Sequence, residues 1–226
     1  MRYLPTIACA RQLHLAEDIK ELLNIGLNYI HFDIMDGNYV PNFCLSIDTA
    51  EQLKEEFPEV MLDVHLMVMH PEYYVERLAR AGTKSMSFHL SSTNFVYRMI
   101  ESIHNFNMKA GVAINPSESI YAIEPVIRQL DYVLLMCVEP GFSGQRFIEE
   151  SYSRLDTLVQ LRKDKKVSFE IFLDGGITPE ISYRLIQHGA DGIVLGYPFL
   201  FNQRDGITGA WQRYQNNFPA KLKGDM

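Results

Sequence analysis

Four side chains in this sequence could act on one chemical centre: His31, Asp33, His65 and Asp174. Two imidazoles and two carboxylates form a donor set suited to a divalent ion such as Zn²⁺, Fe²⁺, Mn²⁺ or Co²⁺. His31 and Asp33 interrupt Tyr29-Ile30-His31-Phe32-Asp33-Ile34, a run otherwise fit for a strand covered on both faces. Residues two apart on a strand point to the same side. A buried face cannot hold an imidazole and a carboxylate without partners. Taken singly, each of the four reads as a satisfied core polar group; four converging at one end of the fold favour the ion. Asp63 stands two residues before His65 and shares its face. It could orient His65 or belong to a polar network in the floor.

A second group of residues suits an anion. Pro140-Gly141-Phe142-Ser143-Gly144-Gln145, Gly175-Gly176 and Gly196 are glycine-rich stretches that each follow an apolar run. Small residues let backbone N–H groups approach a phosphate closely. Tyr197-Pro198-Phe199-Leu200-Phe201 could form a short helix beside them, with Pro198 near its start. Met35, Met67 and Met136 sit at or just past three strand ends, where they could line a pocket and exclude water, or simply fill core.

The elements that must position these residues alternate from end to end. Strands are expected at 3–8, 29–33, 61–67, 85–89, 109–114, 132–136, 169–174 and 192–195. Helices are expected at 15–25, 48–57, 72–81, 94–106, 119–128, 148–163, 179–188 and 209–218. Strict strand-then-helix alternation implies a parallel sheet. Eight such units predict a (β/α)₈ TIM barrel, one domain spanning residues 1–226. An open doubly wound sheet is the alternative, but Ala8-Cys9-Ala10-Arg11 after the first strand is no glycine fingerprint. In a barrel, His31, Asp33, His65, His89, Asn115, Asp174 and Gly196 fall at the C-terminal strand ends, where barrel active sites lie.

Composition narrows the partners. The 226 residues carry a formal net charge of −7, which argues against nucleic acid or an anionic membrane as the main partner. Three cysteines, Cys9, Cys44 and Cys137, with no Cys-x-x-Cys, argue against a disulfide framework or zinc knuckle. No apolar run is long enough for a signal peptide or a bilayer span, so a cytoplasmic protein is expected.

Four segments together resemble the ribulose-phosphate 3-epimerase family: His31-Phe32-Asp33-Ile34-Met35-Asp36-Gly37-Asn38-Tyr39-Val40-Pro41-Asn42, Asp63-Val64-His65-Leu66-Met67-Val68, Val138-Glu139-Pro140-Gly141-Phe142-Ser143-Gly144-Gln145-Arg146-Phe147 and Asp174-Gly175-Gly176-Ile177. The likeness runs from Leu4 to about Phe201. It implies a barrel holding one divalent metal on His31, Asp33, His65 and Asp174, with Asp33 and Asp174 also the two acid/base groups. It implies a phosphorylated ketose as substrate, its phosphate on Gly141, Phe142, Ser143 and Gly144, on Gly175-Gly176 and on Gly196-Tyr197, with Thr6 and His65 also touching the sugar. It further implies a homo-oligomer.

The chemistry implied is inversion at C3. A proton leaves the carbon next to the C2 carbonyl, a flat enediolate forms, and a proton returns on the opposite face. Two acid/base groups on opposite sides are the minimum for that. Three departures surround the substrate rather than the metal. Gly196 is followed by Tyr197-Pro198 where the family usually has Gly-Ser, His89-Leu90-Ser91 replaces His-x-Glu, and Thr6 and Ser143 stand for Ser and Gly. The default substrate is therefore D-ribulose 5-phosphate, with a hexulose 6-phosphate such as allulose 6-phosphate as the alternative. A decarboxylase on a similar barrel would need Asp-x-Lys-x-x-Asp, and the matching place has no lysine. A non-catalytic sugar-phosphate sensor is opposed by the intact Asp33 and Asp174.

Overall fold

A computed structural model describes residues 1–201 and 203–217. Eight parallel strands form one sheet in the order β1-β8-β7-β6-β5-β4-β3-β2. They are β1 (Arg2–Pro5), β2 (Tyr29–Met35), β3 (Met61–Met67), β4 (Ser85–His89), β5 (Lys109–Ile114), β6 (Tyr132–Met136), β7 (Glu170–Asp174) and β8 (Gly192–Leu195). A parallel bridge between Thr6 and His31 joins the two ends of the sheet. Helices α1 (Leu15–Asn24), α2 (Ile47–Glu56), α3 (Val75–Arg80), α4 (Val96–Asn105), α5 (Ser151–Lys165), α6 (Pro179–Gln187) and α7 (Gly206–Asn217) alternate with the strands. This is the expected TIM barrel. The last helix was expected to reach Phe218, which lies outside the described residues.

Two connections differ from expectation for local reasons. β1 stops at Pro5, short of Ala8, because Thr6 caps a 3₁₀ turn at Ile7–Cys9, its Oγ1 accepting from the Ala8 N–H at 3.3 Å. The expected helix at 119–128 is instead two 3₁₀ turns, Ile120–Ile123 and Ile127–Gln129. Pro125 lies between them and has no N–H to continue a helical ladder.

Strand alternation sorts the side chains into two sets. Outward residues such as Ile30, Phe32, Leu62, Val64 and Val133 join a continuous core with helical residues Leu22, Leu53, Ile100, Leu155 and Leu185. Inward residues fill the barrel asymmetrically. On one side Leu4, Ala113, Leu134, Phe172 and Val194 make an apolar plug. On the other, β2, β3 and β4 turn His31, Asp63, His65, Ser85, Ser87 and His89 inward, all fully buried. The big rings need space across the barrel. A Cβ on Gly111 would lie 2.3 Å from the Tyr132 ring, so glycine in β5 is what admits that tyrosine.

Candidate active site

Register brings the polar residues level. β2 and β3 pair so that His31 stands beside Asp63 and Asp33 beside His65. β6 and β7 place Asp174 beside Met136 at the same end of the barrel. The side chains of His31, Asp33, His65 and Asp174 converge, each offering one ligand atom within 4.8 Å of the others. His31 Nε2 lies 3.4 Å from Asp33 Oδ1 and 3.8 Å from Asp174 Oδ2. His65 Nδ1 lies 3.2 Å from Asp33 Oδ1 and 3.8 Å from Asp174 Oδ2.

Of the two readings of Asp63, the polar network in the floor is the one observed. Asp63 does not reach His65. It holds His31, with Nδ1 2.8 Å from Asp63 Oδ2. The reason is register: the neighbour level with Asp63 is on β2, whereas His65 is one pleat further along its own strand. Asp63 Oδ1 also accepts from Ser85 Oγ and, at 3.0 Å, from the Tyr132 hydroxyl. Tyr29 extends the network through its hydroxyl, 2.7 Å from Ser85 Oγ. His65 turns its other nitrogen to His89, Nε2 to Nε2 at 2.9 Å. His89 ends its strand as expected, but nothing in its spacing from His65 signals that contact.

Electrostatics separates the two aspartates. Burial alone would raise Asp33, but the charges and hydrogen bonds of His31 and His65 outweigh it and hold this carboxyl far below the usual range. Asp174 is pushed up, by burial first and by Asp33 in addition, against the pull of the two histidines. Burial would lower His31, yet Asp33 and then Asp63 lift it well above the ordinary imidazole value. Thr6 Oγ1 donates to Asp33 Oδ2 and fixes that carboxylate from the other side.

These residues suit a divalent cation on an observation independent of their identity. His31 Nε2 is buried, makes no close hydrogen bond, and faces two carboxylates at 3.4 and 3.8 Å. An orphaned buried nitrogen is costly unless something binds it. Asp63 fixes the other nitrogen of that ring, as partners of metal-binding histidines do.

A cavity open at its mouth lies above the four residues. Asp33 and Asp174 form part of its floor, with Met35, Met67, Met136 and Thr6. Gly141, Phe142, Ser143, Gly144, Gly175, Gly176, Gly196 and Tyr197 line its far end. His65 is not on this surface: it is wholly buried, with Asp33 and His89 at its two ring nitrogens. Ala8, Cys9 and Val194 also face the cavity, and were not anticipated. The first two do so because β1 turns early.

The far end contains no lysine or arginine, so an anion there must rely on backbone N–H groups and the Ser143 hydroxyl. The backbone is built for close approach. Gly176 has φ +66°, and a Cβ on it would lie 2.6 Å from the Phe147 nitrogen. Gly175 has φ +114°, and a Cβ would lie 2.4 Å from Val138. The loop at 140–145 is fastened from within by Gln145, whose Nε2 donates to the carbonyls of Glu139 and Phe142 at 2.6 and 2.9 Å. Asn42 fastens it from outside, donating to the Gly141 carbonyl at 2.7 Å. Tyr197–Phe201 forms a single π-helical turn, the short helix expected beyond β8.

Comparison with known proteins places the chain. The model of the ribulose-phosphate 3 epimerase family matches residues 3–200. A ribulose-phosphate 3-epimerase of Aquifex aeolicus is 35% identical over 192 residues, covering 85% of this chain and 86% of that protein. One of Bacillus subtilis is 34% identical over 197 residues, covering 87% of this chain and 90% of that protein. Among solved structures, the 3-hexulose-6-phosphate synthase of Salmonella typhimurium superposes with TM-score 0.69 at 13% identity, covering 95% of this chain and 97% of that one. A tryptophan synthase α-subunit variant of Pyrococcus furiosus gives 0.70 at 12% identity, covering 94% and 95%. At such identity these two speak for the barrel alone. No described helix is long and apolar enough to cross a membrane.

Proposed function

The chain belongs to the ribulose-phosphate 3-epimerase family and is a carbohydrate epimerase; from that premise we propose that it inverts C3 of a ketose phosphate, by default interconverting D-ribulose 5-phosphate and D-xylulose 5-phosphate. The observation that supports this most is the pairing of Asp33 with Asp174. They come from β2 and β7, share the floor of one cavity, and have pKa values driven in opposite directions. Two titratable groups whose environments push them apart are suited to act as base and acid in the same turnover.

His31, Asp33, His65 and Asp174 would hold one divalent cation, which when bound supplies Lewis-acid stabilisation for negative charge developing on the sugar oxygens. The chain's own groups do the rest. One aspartate takes the C3 proton from one face, and the other returns a proton to the opposite face. Either can start, because the reaction runs both ways. Thr6 keeps the Asp33 carboxylate from rotating away. Met35, Met67 and Met136 put soft apolar surface beside the reacting carbon and exclude water from the enediolate. The loops at 141–144, 175–176 and 196–197 grip the phosphate and fix C3 between the carboxylates, so that remote binding supplies orientation. The chain would work in the cytoplasm as a homo-oligomer.

A six-carbon ketose 6-phosphate is the second reading. Gly144, Gln145, Gly176, Tyr197 and Pro198 line both the main cavity and a neighbouring hollow that contains Arg146 and Thr178. A substrate one carbon longer could move its phosphate toward that arginine. Assaying five- and six-carbon ketose phosphates for C3 epimerisation, with metal content measured in parallel, decides between them. Metal-loaded protein inactive on every member of the set would overturn both.

A further inference from the structure

Each histidine of the quartet has one nitrogen facing the carboxylates and one facing away. For His31 the outer nitrogen is held by Asp63. For His65 it meets His89, another imidazole, at 2.9 Å. Two neutral imidazoles can make that contact only if one donates and the other accepts. If His65 keeps Nδ1 bare toward Asp33 and Asp174, its proton sits on Nε2, and His89 Nε2 must be the acceptor. The proton of His89 then sits on Nδ1, which needs an acceptor of its own.

The surroundings of His89 supply that acceptor. Two buried polar atoms there lack partners, His89 Nδ1 and Asn115 Oδ1, and both side chains meet the same Tyr39, one at its ring and one at its hydroxyl. One lacks an acceptor and the other lacks a donor. Asn115 Nδ2 in turn donates to the Tyr39 hydroxyl at 2.7 Å, which is 2.9 Å from Ser91 Oγ. The Tyr39 ring covers His89, with centroids 4.6 Å apart.

We propose that His89 and Asn115 form a one-way hydrogen-bond relay that fixes the tautomer and ring orientation of His65: His65 Nε2–H to His89 Nε2, then His89 Nδ1–H to Asn115 Oδ1. Tyr39 holds the far end, its hydroxyl on Asn115 and its ring on His89. The pair are positioning residues that act through His65. They do for it what Asp63 does for His31, with an amide in place of a carboxylate at the end of the line. The inference rests on the metal reading of the quartet, since only a ligand requires His65 to present a bare Nδ1.

The test uses the unmodified chain. Long-range ¹H–¹⁵N spectra of the histidine rings, recorded without metal and with equimolar Zn²⁺, give the protonated nitrogen of each ring. The relay predicts that Zn²⁺ shifts His31 and His65 and that His89 carries its proton on Nδ1. Zn²⁺ binding with His89 protonated on Nε2 overturns the relay alone. No response of His31 and His65 to Zn²⁺ overturns the metal reading and the relay with it. Variants add a second readout. His89→Leu should weaken Zn²⁺ binding by on the order of 10- to 100-fold, and His89→Gln, whose carbonyl can still accept from His65, should recover most of it. Equal losses in both variants, with unchanged melting of the metal-free proteins, would also overturn the relay.

Discussion

Asp63 Oδ2 stands 2.8 Å behind His31 Nδ1, so the buried Nε2 of the same ring is aimed at Asp33 and Asp174, 3.4 and 3.8 Å away. That one contact links the polar floor of the barrel to the candidate ion site above it. Asp63→Leu should remove the orienting acceptor and leave the Tyr132 hydroxyl without the carboxylate it donates to. A chelator competition should show metal affinity reduced by on the order of 10- to 100-fold. The metal-free protein should also melt several degrees lower, since each unsatisfied buried group costs about 1–3 kcal/mol.

Metal uptake should release protons and strengthen as pH rises. Without metal, burial opposes but Asp33 and Asp63 outweigh it, so His31 keeps its proton well above the ordinary imidazole range. A cation needs that ring neutral. Lowering the pH therefore favours the protonated, metal-free form, and raising it favours binding. Calorimetry in buffers of different ionisation enthalpy should report net proton release at neutral pH, with tighter binding at pH 8 than at pH 6. Metal binding with no proton release would contradict the assignment of His31 as a ligand.

Gly176→Ala should raise KM for a ketose phosphate far more than it lowers kcat. The added Cβ would meet the Phe147 nitrogen at 2.6 Å, at a φ of +66° that alanine rarely adopts. The loop must shift to relieve this, and its N–H groups move with it. Steady-state kinetics checks the split, and inorganic phosphate as a competitive inhibitor should weaken in parallel. An unchanged KM would mean that the phosphate lies elsewhere.

Gly111→Ala tests the barrel interior away from the chemistry. A Cβ would lie 2.3 Å from the Tyr132 ring, which is fully enclosed and hydrogen-bonded to Asp63. Overpacking of this kind costs about 1–3 kcal/mol. Urea unfolding should show a lower midpoint with little change in slope.

Much of this was legible in the chain, for identifiable reasons. Strands such as Met61–Met67 announce themselves because both faces of a parallel barrel strand are covered. His31 and Asp33 were placed on one face because strand periodicity is strict. What failed needed information between strands. The sequence left Asp63 between orienting His65 and joining a floor network, and register decides by putting it level with His31. His89, Asn115 and Tyr39 lie on β4, just after β5 and beyond β2, so their contact could not be read from spacing. The false helix near 119–128 is a case of pattern overruled by one proline without an N–H.

Two carboxylates working on opposite faces of C3 would leave an isotopic trace. The metal-loaded enzyme is run on D-ribulose 5-phosphate in D₂O, and the C3 position is read by NMR early in turnover. The expected product is D-xylulose 5-phosphate carrying solvent deuterium at C3, while unreacted substrate still carries mostly protium. Product that keeps the substrate's own hydrogen at C3 would rule out the two-carboxylate reading.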